Sequence, residues 1–162
     1  MPVKTASLGK KVPAFSLPAT GEQQISLADL KGKYVVLYFY PKDSTPGCTR
    51  EGQDFRDNKA KFSRQQAMIL GVSRDSIKAH ENFKAKQGFN FELLSDKEEV
   101  LCGIFDVIKE KTLYGKKHMG IERSTFIIDP DGVLKHEWRK VKVDGHVDEV
   151  LTVLKQIRKE AT

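Results

Sequence analysis

"YVVLYFYPKDSTPGCTRE" (Tyr34–Glu51) joins two patterns across one short loop. Tyr34–Tyr40 is apolar at every position and rich in β-branched and aromatic side chains, as a strand covered on both faces must be. From Thr49 the pattern changes. Phe55 and Phe62 stand seven apart among charged residues, which predicts an amphipathic helix to about Arg64. Pro41 and Pro46 stiffen or turn the loop between the two, and Gly47 would let the backbone approach a small substrate closely. Strand, loop and helix in that order are the unit of an α/β fold, whose ligands sit where strands end and helices begin. Cys48 stands at that joint.

Downstream, Ala67–Ser73 reads as a second buried strand and Ser76–Gln87 as a charged helix stopped by Gly88. Phe91–Ser95 reads as a short strand, and Glu98–Phe105 as a helix with Val100, Leu101, Ile104 and Phe105 on one side. Ser124–Asp129 and Gly132–Val141 flank Asp129-Pro130-Asp131-Gly132, a strong turn signal, and so predict a hairpin. Val147–Glu160 closes the chain as a helix, with Val147, Val150, Leu151, Leu154 and Ile157 at helical spacing. Upstream, Pro13, Pro18, Gly21 and Gly32 break the chain to about Lys33 into loops with short strands. The expectation is one α/β domain over residues 1–162, a mixed central sheet flanked by helices. This pattern does not contain the strand order.

A chain of 162 residues can bury a core without disulfide staples. No stretch is long and apolar enough for a membrane-spanning helix, and the lysine-bearing start has no continuous apolar core of a secretory signal. Two cysteines are too few for a secreted disulfide scaffold, so the cytoplasm is the expected location. The net charge of +6 is spread among interleaved acids. The densest basic runs, "KAKFSR" and "KEKTLYGKKH", read as a solvated helix face and a loop, with no nucleic-acid-binding motif. His80, His118, His136 and His146 show no ligand spacing with each other or with the cysteines; they read as solvated side chains, and no metal is expected.

A helix N-terminus stabilises an anion through its free N–H groups and its dipole, which for a cysteine favours the nucleophilic thiolate. Position alone is equally consistent with a small buried filler. The neighbours shift the balance. Pro41, Thr45 and Cys48 stand in the order P-x-x-x-T-x-x-C after an aromatic strand, and this resembles the active-site signature of the peroxiredoxins. "GIERSTFIIDPDG", with Arg123 entering a strand, is similar to the segment that supplies the peroxiredoxin arginine. From Gly9 to Glu51 the chain resembles the Q-type peroxiredoxins, also called bacterioferritin comigratory proteins, and the likeness covers nearly the whole sequence.

That resemblance implies a thioredoxin-like fold, usually monomeric, that reduces hydrogen peroxide and organic hydroperoxides in antioxidant defence. It makes Cys48 the peroxidatic nucleophile, passing through a sulfenic acid. Thr45 would exchange a hydrogen bond with the peroxide, and Arg123 would favour the thiolate and orient the same groups. Pro41 would shield the sulfur from water. Glu51 reads on its own as a helix-dipole or capping carboxylate, although the family would let it orient an arginine. No bound cofactor is implied, only an external thiol such as thioredoxin, glutaredoxin or glutathione.

The sequence departs from its relatives at the next step. Many Q-type enzymes carry a resolving cysteine five residues after the peroxidatic one, where this chain has Gln53; others carry it on the following helix, and no cysteine lies between Cys48 and Cys102. Two cycles follow: a one-cysteine cycle served by an external thiol, which we favour, or resolution by Cys102. As read from sequence, Cys102 sits at the edge of an apolar helix face, half-buried. A dithiol oxidoreductase would need a second cysteine at position 51, which is glutamate. A peroxide sensor or holdase would share the sulfenic step but stop after one turnover.

Overall fold

The computed structural model describes residues 4–161. Two short strands, β1 (Ser16–Ala19) and β2 (Gln23–Ser26), precede β3 (Tyr34–Phe39), helix α1 (Pro46–Arg64) and β4 (Ala67–Ser73). Helix α2 (Ile77–Gln87), β5 (Glu92–Ser95) and the single-turn α3 (Val100–Ile104) follow. A hairpin of β6 (Ile108–Leu113) and β7 (Lys116–Ile121), then β8 (Ser124–Ile128), β9 (Leu134–Trp138) and α4 (His146–Glu160), complete the chain. Seven strands form one mixed sheet in the order β2-β1-β5-β4-β3-β8-β9; β6 and β7 pair apart from it.

β3 is central, parallel to β4 and antiparallel to β8, which is why it is apolar on both faces. Its side chains alternate between two separate cores. Val35, Leu37 and Phe39 join one, with Leu101, Cys102, Phe105 and Phe126. Tyr34, Val36 and Tyr38 join the other, with Cys48, Phe55, Phe62, Phe83 and Leu154. Helices α1, α2 and α4 therefore cover one face; α3 and the N-terminal segment cover the opposite one. Phe55 and Phe62 are fully buried, and each ring removed from water contributes roughly 1.5–3 kcal/mol.

The expected elements form, with shifted boundaries. Helix α1 begins at Pro46 rather than Thr49: proline at the first helical position has φ preset and no N–H to lose, and Thr45 is the extended N-cap. The helix expected over 98–105 shrinks to Val100–Ile104, because Glu99 adopts a left-handed backbone (φ 57°). Gly88 ends α2 in that conformation too (φ 65°), as its position foretold, and the Ser76 hydroxyl accepts from the Ala79 N–H at the start. The largest difference is "KEKTLYGKKH", which is not a loop but most of the β6–β7 hairpin. Its charged side chains hid the alternation. Tyr114 and Gly115, both at positive φ, make the two-residue turn.

Candidate active site

Cys48 is the third residue of α1, inside its first turn and 2% exposed. The opening N–H groups of a helix have no intrahelical acceptor, so the positive end of α1 faces the sulfur. Thr45 does not cap the helix with its side chain. Its Oγ1 donates to the Lys42 carbonyl at 2.7 Å, leaving the hydroxyl lone pairs as acceptors. Pro41 lies two residues beyond the end of β3 and is half-buried in the strand-to-helix loop.

Arg123 lies between β7 and β8, where its carbonyl accepts from the Val141 N–H at 3.0 Å. Its guanidinium points back at α1: Nη2 is 3.5 Å from Cys48 Sγ, and Nη1 donates to Glu51 Oε1 at 2.6 Å. A Cβ on Gly47 would stand 3.1 Å from Arg123 Nη2, so glycine leaves the room the guanidinium occupies. The structure thus joins Cys48 to Arg123, 75 residues apart in the chain.

Glu51 is the residue that sequence reasoning undervalued. Because α1 starts at Pro46, Glu51 lies in the second turn and is no capping or dipole carboxylate. It is wholly buried against Arg123, and Oε2 has no hydrogen-bond partner among the described residues. Burial raises its pKa to about 7 against the opposing pull of Arg123. Burial works against the charge on Arg123 as well, but Glu51 and Cys48 outweigh it and raise the arginine further.

The loop before Cys48 is pinned from beneath. Asp43 accepts from the Tyr40 hydroxyl at 2.6 Å and faces His80 Nδ1 at 2.6 Å, while its N–H donates to Asp75 at 2.9 Å. His80 Nε2 meets the Leu94 carbonyl at 2.9 Å. His80 is therefore not a solvated side chain but a fully buried tie between α2 and the cysteine loop. Asp43, Asp75 and His80 offer donor atoms within 4.8 Å of one another, as a metal set would, yet hydrogen bonds already use them. His146 is buried too; burial first, and then Arg123, lower its pKa to about 4 against the pull of Glu149, and its Nε2 meets Thr125 Oγ1 at 2.8 Å. Period-based reading could not find either histidine, since the contacts span distant segments.

Cys102 is fully buried rather than half-buried, and lies across the sheet from Cys48. Burial and the Asp96 carboxylate push its thiol pKa well up, and Asp96 also accepts from the Cys102 N–H at 2.7 Å. Gln53, at the position of the family's resolving cysteine, donates to Gln87 at 3.0 Å and ties α1 to the end of α2.

A mixed α/β sheet with a cysteine in a helix's first turn beside a half-buried arginine defines a thiol peroxidase of thioredoxin-like fold. Residues 8–137 match the model of the AhpC/TSA family. Peroxiredoxin Bcp of Xanthomonas campestris pv. campestris is 56% identical over 148 residues, covering 90% of this chain and 92% of that one. Peroxiredoxin Bcp of Bacillus subtilis is 52% identical over 153 residues, covering 94% and 98%. Among solved structures, the Xanthomonas campestris bacterioferritin comigratory protein, described with its alkyl peroxide reduction activity, superposes with a TM-score of 0.85 at 55% identity, covering 89% and 92% of the two chains. A cysteine-to-serine variant of Xylella fastidiosa PrxQ gives a TM-score of 0.89 at 46% identity, covering 94% and 98%. The chain belongs to the AhpC/TSA family, as a peroxiredoxin of the Bcp or Q type, and so is an enzyme of the thioredoxin-dependent peroxidase class. No helix among the described residues is long and apolar enough to cross a membrane.

Proposed function

We propose that this chain reduces hydrogen peroxide and organic hydroperoxides at Cys48, and that an external thiol, rather than Cys102, completes the cycle. The 3.5 Å contact of Arg123 with Cys48 Sγ, at the positive end of α1, carries the first part. The thiolate attacks one peroxide oxygen; an S–O bond forms, the O–O bond breaks, and alcohol or water leaves after taking up a proton. Charge moves to the leaving oxygen, where Arg123 and the first-turn N–H groups stabilise it. Thr45 Oγ1, its own proton given to Lys42, accepts from the peroxide O–H and sets the line of attack. Pro41 packs over the loop to limit water. The alkyl peroxide reduction described for the Xanthomonas campestris relative supports an alkyl hydroperoxide as substrate.

Resolution by an external thiol is supported by the sheet itself. A disulfide needs Cα atoms within about 7 Å, and Cys48 and Cys102 belong to cores on opposite faces of the sheet. We further propose that the enzyme works as a monomer in the cytoplasm, with thioredoxin, glutaredoxin or glutathione as the thiol. Intact mass after one equivalent of hydrogen peroxide, with a sulfenic-acid trap, tests the cycle in wild type and Cys102→Ser. One trap label at Cys48 in both is the expected result. Loss of two hydrogens or a covalent dimer in wild type alone would make Cys102 the resolving thiol.

A further inference from the structure

Among the described residues the β6–β7 hairpin pairs only with itself, and its two faces differ in charge. Strand alternation and the register Lys111↔His118 and Leu113↔Lys116 put Lys109, Lys111, Leu113, Lys116 and His118 on one face, without a carboxylate. The hairpin's one acidic residue, Glu110, is on the other face and pairs with Lys117 at 3.6 Å. Lys109 is held by Asp106 at 3.1 Å, whereas Lys111 and Lys116 have no ion-pair partner among the described residues. At the tip, Leu113 is 58% and Tyr114 95% exposed. This face is thus cationic along the strands and apolar at the tip.

The hairpin also adjoins the thiol site. β7 ends two residues before Arg123, and the Glu122 N–H donates to the Val107 carbonyl at 2.7 Å, closing the hairpin's base. Lys111 is half-buried: burial and then Arg123 lower its pKa, and the charge of Cys48 opposes them, so its ammonium lies within the field of the thiol site.

We propose that this face of the hairpin docks the thiol reductant, and that the reductant is a small dithiol protein whose thiols are ringed by acidic and apolar residues. The inference rests on the external-thiol cycle above. In the docked pair, one thiolate of the partner attacks the sulfenic sulfur of Cys48, forming a mixed disulfide and releasing the oxygen as water. The partner's second thiol then attacks its own bridged sulfur and frees Cys48 as a thiol. The dithiol is oxidised to a disulfide and the sulfenic acid reduced, two electrons passing. Lysines at the rim chiefly raise the rate of encounter, in a way that salt screens.

The test uses the full-length Leu113→Ser/Lys116→Glu variant, both residues being clear of the catalytic groups. Sulfenic-acid formation at Cys48 is measured first, then its reduction by an acidic thioredoxin and by dithiothreitol, each at low and high salt. The expected result is unchanged oxidation, an unchanged rate with dithiothreitol, and roughly tenfold slower reduction by thioredoxin with a flattened salt dependence. Equal reduction of variant and wild type by thioredoxin overturns the docking surface alone. Equal slowing with both reductants overturns it too, by tracing the effect to the thiol. Variant-sensitive retention on phosphatidylglycerol vesicles, with an unchanged thioredoxin rate, reassigns the face to lipid. Absence of sulfenic acid in wild type overturns the peroxidase reading and this inference together.

Discussion

Replacing Glu51 by glutamine separates what the buried pair does for stability from what it does for chemistry. Glutamine keeps an oxygen where Oε1 accepts from Arg123 at 2.6 Å and removes the ionisable group. Burial raises the Glu51 pKa from 4.5 to about 7, so the folded protein holds a proton that the unfolded chain gives up first. A folded pKa raised above the unfolded one contributes stability that is full below pH 4.5 and lost as pH climbs to 7. At about 1.4 kcal/mol for each tenfold change in proton affinity, the loss is roughly 3 kcal/mol. His146 works the other way. Its pKa falls from 6.5 to about 4, so it favours the folded state increasingly between those values, by a similar amount. The two contributions therefore nearly cancel from pH 4.5 to 6.5.

Without Glu51, the rising His146 contribution is no longer offset. The unfolding free energy of Glu51→Gln, from urea titration, should climb across that window and exceed wild type at pH 7.5 by roughly 3 kcal/mol, yet agree with wild type near pH 4.5. The peroxidase rate constant of the same variant should fall, on the order of tenfold, because Arg123 loses the charge that aims it at Cys48. A wild type more stable than the variant at pH 7.5 would refute the reasoning, since the ion pair would then outweigh the burial of its carboxylate.

Arg123→Lys keeps a positive charge but cannot reach Cys48 and Glu51 with two fixed N–H groups at once. Its kcat/KM for hydroperoxide should drop about 10²-fold, measured at saturating dithiothreitol, and an unchanged value would remove Arg123 from the transition state. Gly52→Ala puts a Cβ 2.2 Å from the Phe89 ring, so the ring must turn aside or α1 and the α2–β5 connection must part. The melting temperature should fall, for a cost of about 1–3 kcal/mol or more; an unshifted melt would mean that the ring rotates away freely.

Much of this molecule is local and therefore legible in its sequence. Apolar runs at Tyr34–Phe39 and Ala67–Ser73 are buried strands, Ser76 and Gly88 bound a helix, and Cys48 stands at a helix mouth, because each depends on neighbours a few residues away. Resemblance to a family pointed to Arg123 as well. Tertiary structure decided what depends on segments far apart: the strand order, the Glu51–Arg123 pair, and His80 as a buried tie beneath the cysteine loop. It also decided the relation of the two cysteines. Their spacing in sequence is silent on whether they can meet, but alternating strand residues give the sheet two faces, and the fold assigns one cysteine to each.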